Sequence, residues 1–130
     1  MNTNLDQARA LLPLTPAVYH VLLALAISEK HGYGVMREVK EISMGAVELG
    51  PATLYRSIKQ MLEHRLIIES DDRPDPALDD ERRKYYKITE LGLAALQLET
   101  SRLSRLVERA RQMGVTFDEY PELGLGGRTQ

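Results

Sequence analysis

The sequence predicts a mainly α-helical fold with one small β-hairpin and a long C-terminal helix. Three observations predict it. Apolar residues recur at helical spacing in stretches between residues 5 and 65. Residues 66–70 and 82–89 are rich in β-branched and aromatic side chains on either side of a polar, proline-containing connection. After Thr89, apolar residues continue at alternating spacings of three and four.

With 130 residues the chain is sized for one domain and an appended helix. The expected divisions are an N-terminal arm over 1–13, a compact domain over 14–88, a helix over 89–114 and a flexible tail over 115–130. In that tail Pro121, Gly124, Gly126 and Gly127 mix with few large apolar side chains. Hydrophobic content of 43% and charged content of 28% read as a soluble, folded chain. The longest apolar run, 21–27, falls far short of the ~20 residues of a membrane span. The first residues lack a basic stretch followed by an apolar one, so no signal peptide is expected, and the expected location is cytoplasmic. Cysteine is absent, which removes disulfides and thiolate metal sites. A net charge of −2 argues against general affinity for polyanions. It leaves specific DNA contact open, because counterion release depends on the Lys and Arg that meet phosphate locally.

Leu5, Ala8, Leu11 and Leu12 are spaced for a short helical arm. Thr15 and Pro16 supply a cap and a first-turn proline, and the helix they open is apolar around most of its circumference until Ser28. Such a helix needs cover on two sides, the domain core on one and a partner subunit on the other. The turn His31-Gly32-Tyr33-Gly34 opens a second helix, in which Tyr33, Met36, Val39 and Ile42 keep one face apolar while Arg37, Glu38, Lys40 and Glu41 stay wet. Met44-Gly45 ends it, and residues 46–49 are expected to form a short extended strand leading into Gly50-Pro51.

Residues 50–65 are the centre of the arrangement. Pro51 suits a first helical turn, and Leu54, Ile58, Met61 and Leu62 then make one apolar stripe. Opposite it lie Ala52, Thr53, Arg56, Lys59, Gln60 and Glu63, with Tyr55 on the flank. Small side chains near a helix start permit close approach to a DNA major groove, and Arg, Lys and Gln beyond them reach phosphates or base edges. An ordinary solvated face has the same composition, so the neighbouring elements must decide. Residues 66–70 and 82–89 read as the two strands of a hairpin, with Tyr86 and Ile88 on one face and Arg83, Tyr85 and Lys87 on the other. Tyr86 is read as a core aromatic because it shares its face with Ile88.

Thr89 caps the long helix, along which Leu93, Leu96, Thr100, Leu103, Val107, Ala110 and Gly114 form a coiled-coil-like seam. At 1.5 Å per residue this helix is roughly 37 Å long, against about 30 Å for the compact part. Part of the seam must therefore look outward. Burying a leucine contributes about 1.5–3 kcal/mol, so a second chain recovers several kcal/mol by covering Leu103, Leu106 and Val107. A homodimer is expected, joined through Leu93, Leu96, Leu103, Leu106, Val107 and Ala110.

Helix, helix, short strand, helix and hairpin is the order of a winged helix-turn-helix. Four blocks in that order carry a family likeness: L-T-P-A-V-Y-H-V-L-L-A-L from Leu14, H-G-Y-G-V-M-R-E-V from His31, L-G-P-A-T-L-Y-R-S-I-K-Q-M-L from Leu49 and R-R-K-Y-Y-K-I-T-E-L-G from Arg82. Together they resemble the PadR family of bacterial transcriptional regulators. The resemblance implies a dimeric repressor on double-stranded operator DNA, with the helix after P-A-T-L-Y in the major groove and the basic end of the wing on backbone or minor groove. On that basis Thr53, Tyr55 and Arg56, with Ala52 beside them, are the first DNA contacts, and Arg82, Arg83 and Lys84 are the wing contacts. Lys59 and Gln60 follow from the helical face alone. The single C-terminal helix resembles that of the shorter branch of the family. The resemblance also implies release from DNA by small aromatic or other planar compounds, although no residue pattern in the chain itself points to a ligand.

One departure from the pattern is the acidic wing, with Asp71, Asp72, Asp75, Asp79, Asp80 and Glu81 against Arg73. Either this loop points away and Arg82, Arg83 and Lys84 engage DNA, which is the preferred reading, or the wing lowers affinity and the helix carries more of the binding. Its acids lack the spacing of a calcium loop. His20, His31 and His64 lack metal-ligand spacing, Gly32-x-Gly34 lacks the rest of a nucleotide cradle, and no nucleophile set is readable, so no metal, cofactor or enzymatic activity is expected. The rival reading is a winged-helix protein-interaction adaptor that does not bind DNA.

Overall fold

The structure, a computed structural model, describes residues 3–70 and 84–115. The acidic connection, Arg82 and Arg83, and the expected tail beyond Val115 lie outside the described residues. The arm is helical over α1 (Thr3–Ala10), which buries Ala8. The cap predicted at Thr15 is present: its hydroxyl accepts from the Val18 N–H at 3.1 Å, and α2 runs Pro16–Ile27. Most of this helix is covered within the chain, through Val18, Val21, Leu22, Ala24 and Leu25, while Ala26 and Ile27 stay exposed.

The chain then makes β1 (Lys30–His31), a two-residue strand. The short strand thus precedes the second core helix, and the expectation for residues 46–49 is corrected. Lys30 and His31 find partners in a ladder, whereas Val47 is held by the Ser43 hydroxyl, which accepts from its N–H at 3.0 Å. Lys30 Nζ also donates to the Ala24 carbonyl at 3.0 Å and to Ser28 Oγ at 2.8 Å, closing the end of α2. In α3 (Gly32–Ile42) the His31 ring caps the start, its Nδ1 accepting from the Gly34 N–H at 3.2 Å. The buried side of α3 runs through Val35 and Val39, not through Tyr33, which is 58% exposed. Tyr33 stays out because its ring stacks beside His31 and lies under Arg37, and its hydroxyl keeps access to water.

Left-handed Met44 and Gly45 make the turn toward α4 (Pro51–Glu63). Two strands follow, β2 (Ile67–Ser70) and β3 (Tyr85–Ile88), in an antiparallel sheet of order β1-β3-β2. The register pairs Ile67 with Ile88 and Ser70 with Tyr85 on one side of β3, and Lys30 with Tyr86 on the other. Because β3 is the central strand, Tyr85 is buried rather than wet as its alternation with Lys87 predicts: the His31 ring packs edge-on against it at 5.3 Å.

Finally, α5 (Glu90–Gln112) starts on the predicted Thr89 cap. The Thr89 oxygen accepts from the Gly92 N–H at 3.0 Å, and its hydroxyl lies 2.7 Å from the Arg65 carbonyl as donor. Gly92 is required here, since a Cβ at this position would fall on the Leu66 carbonyl oxygen. Two compact units, Met1–Glu99 and Thr100–Gln130, meet within α5. In the first, Ala95 and Leu96 join the core with Leu22, Leu25, Leu54, Ile58, Met61 and Ile67. Leu96 is thus removed from the open seam. Glu99 is also buried, accepting from the Leu14 N–H at 3.3 Å, a placement that no spacing rule foretells.

Candidate nucleic-acid interface

The two ends of α4 come from local chemistry. Gly50 precedes Pro51, whose missing N–H costs nothing in a first turn, and the helix stops where Arg65 takes a left-handed φ of 61°. Leu54, Ile58 and Met61 are buried to 2% exposure or less, and Leu62 is half-buried, so the predicted stripe faces the core. Ser57 is buried as well, its small side chain letting α4 sit close on its neighbours. The opposite face carries exposed Ala52, Arg56, Lys59 and Gln60, with Thr53 half-buried among them. Among the described residues neither Arg56 nor Lys59 has an ion-pair partner. Other charges nearby are matched: Lys40 and Glu48 lie 2.9 Å apart, and that hydrogen bond, with the charge of Glu48, raises the Lys40 pKa.

Tyr55 is half exposed, and its hydroxyl turns toward the start of α3, where it rests against Gly32. It therefore touches the neighbouring helix while keeping half of its surface in solvent. Lys84 stands exposed at the base of the hairpin, 3.6 Å from the Glu69 carboxylate. Sequence spacing assigns Tyr33 and Tyr86 to packing, yet both come together with Tyr55 and Lys84. The clue available in the sequence was the position of Tyr86 two residues beyond Lys84, which puts both on one face of a strand.

The seam residues divide. Leu93, Leu106 and Val107 are exposed at 41%, 54% and 51%, Leu103 and Ala110 are half-buried, and Leu96 is in the core. Among the described residues no group of three or more His, Asp or Glu is placed to hold a metal ion, and no helix is long and apolar enough to cross a membrane.

Comparison with known proteins agrees with this geometry. The model of the transcriptional regulator PadR-like family matches residues 21–98. An uncharacterized protein of Lysinibacillus sphaericus is 32% identical over 76 residues, 58% of this chain and 67% of that protein. A PadR family transcription regulator from hypervirulent Clostridium difficile R20291 is similar in structure, with a TM-score of 0.65 at 21% identity, covering 76% of this chain and 98% of that one. A transcriptional regulator from Clostridium thermocellum gives a TM-score of 0.63 at 17% identity, covering 85% and 96%. At such identities the two structures speak for the fold, while the family match extends over most of the described domain. The chain belongs to the PadR-like family of transcriptional regulators.

Proposed function

We propose that the protein is a sequence-specific DNA-binding repressor, acting in the cytoplasm as a homodimer on a two-fold symmetric operator. The observation that carries this reading is α4 itself: a helix anchored by Leu54, Ile58 and Met61 that presents Arg56, Lys59 and Gln60 outward, with both cations unpaired among the described residues. Thr53 and Ala52 at its start let the backbone approach the groove, and Lys84 at the base of the wing reaches backbone phosphate. Exposed Leu106 and Val107 on α5 favour a second copy of the chain as partner. In such a dimer the two α4 helices lie about 34 Å apart, one turn of duplex.

The test is a fluorescence anisotropy titration against duplex DNA from upstream of the protein's own gene, at two salt concentrations. The expected result is specific, salt-steep binding that Arg56→Ala and Lys59→Ala each weaken. Absence of binding overturns the reading in favour of an adaptor joining proteins, and binding indifferent to both substitutions removes α4 from the interface.

A further inference from the structure

Between the start of α3, Tyr55 of α4 and the entry to β3 lies a pocket of about 240 Å³, lined by His31, Gly32, Tyr33, Tyr55, Lys84 and Tyr86. It is smaller than the roughly 300 Å³ at which sites for drug-sized ligands begin, and suits a phosphate with part of its sugar. Tyr86 is 5% exposed, and its hydroxyl has no hydrogen-bond partner among the described residues. A buried phenol normally finds a partner, so this one calls for an explanation. The hydroxyls of Tyr33 and Tyr55 are likewise without hydrogen bonds among the described residues. His31 adds nothing through Nδ1, which already accepts from the Gly34 N–H. The residues that line the pocket thus carry three phenols and one ammonium, a set of donors that an acceptor-rich anion completes. The acid beside it, Glu69, is engaged by Lys84 at 3.6 Å, in an ion pair open enough to water for a stronger anion to displace it.

We propose that Tyr33, Tyr55, Tyr86 and Lys84 seat one backbone phosphate of the DNA that α4 reads. The proposal rests on the DNA-binding reading above. Its walls come from α3, α4 and the start of β3, so a strand that lies along α4 at Tyr55 comes within reach of it. Arg56, next to Tyr55 in sequence, is exposed on α4. The seat adds affinity that is independent of sequence and fixes the register in which α4 meets the bases.

Tyr86→Phe tests it by deleting one oxygen while keeping the ring in the core. In the anisotropy titration this substitution is expected to weaken binding to the upstream duplex and to an unrelated duplex alike, by about tenfold, leaving the preference between them intact. Lys84→Gln lowers the slope of log affinity against log salt by about one. Glu69→Gln, which removes the competing carboxylate, tightens binding. No DNA binding by the unaltered protein overturns the DNA reading itself. Binding that weakens with Arg56→Ala and Lys59→Ala but ignores Tyr86→Phe and Lys84→Gln overturns the seat alone. A third outcome is that millimolar inorganic phosphate raises the melting temperature in a Tyr86-dependent way while Tyr86→Phe leaves DNA affinity unchanged. That result assigns the pocket to a free anion and also overturns the proposal.

Discussion

The Tyr55 hydroxyl rests on Gly32 so closely that a methyl group on residue 32 would coincide with it and would meet the ring carbon Cζ at 2.8 Å. The absence of a side chain at residue 32 is what lets the Tyr55 hydroxyl lie against the start of α3. Gly32→Ala is expected to push the half-exposed Tyr55 ring aside and to destabilise the fold by about 1 kcal/mol, the low end of overpacking. Tyr55→Ala in the same chain should recover part of that loss. Urea denaturation of both single variants and the double variant measures the coupling, and additive effects would show that the two residues do not bear on each other.

Gly92 presents a harder case, because its neighbour is backbone. A Cβ there would fall on the Leu66 carbonyl oxygen and lie 2.9 Å from Ile88 Cγ1. Gly92→Ala should therefore cost at least the upper end of the roughly 1–3 kcal/mol of overpacking, since a carbonyl in the turn cannot rotate away. Gly50→Ala meets open space and should be tolerated by comparison. Thermal melts of the two variants give the contrast directly.

The seam on α5 separates pairing from folding. Leu106→Asp with Val107→Asp places charges at positions 54% and 51% exposed, and light scattering should then report monomers that keep their helical circular dichroism. Leu96→Asp instead buries an unpaired carboxylate at a site 5% exposed and should abolish folding altogether. A dimer that survives the first pair of changes would place the interface elsewhere.

Alkaline pH should weaken the fold through Tyr86. Burial, then the nearby Glu69 charge, then Tyr55 push its phenol above the ordinary 10.0. The neutral form is thus favoured in the folded state, so the contribution is intact below pH 10 and is lost as pH rises through the folded value. Lys30 has the opposite sign. Burial lowers its pKa from 10.5 despite the raising effect of Glu38, so the unfolded chain binds more protons just below that value and folding gains as pH climbs through the window. Melting temperatures between about pH 9 and 11 should therefore fall less in Tyr86→Phe than in the unaltered protein.

Glu99 is a buried carboxylate whose oxygen accepts from the Leu14 backbone. Glu99→Ala should cost about 1–3 kcal/mol, because it leaves that N–H without its acceptor in a buried setting. Hydrogen exchange at Leu14 should speed up in the variant, and an unchanged rate would show that the bond holds nothing in place.

The elements that could be read from the chain are those whose burial is decided by their own periodicity. Leu54, Ile58 and Met61 fall on one side of a helix whatever surrounds it, and Arg56, Lys59 and Gln60 then have only the other side to occupy. Caps were equally legible, since Thr15 and Thr89 act on groups two or three residues away. What escaped was set between elements. Lys30–His31 is too short to show an alternating pattern, and it is a strand because Tyr85 and Tyr86 lie beside it. Tyr85 has the alternation of a wet residue and is buried by an aromatic ring from another strand. The seat around Tyr86 draws on three elements, so no window of sequence contains it.

A single side chain, Thr89, bonds both to the carbonyl that closes α4 and to the amide that opens α5. That hydroxyl is a rivet through two helix ends, so Thr89→Val would loosen the stop of one and the start of the next at a single stroke.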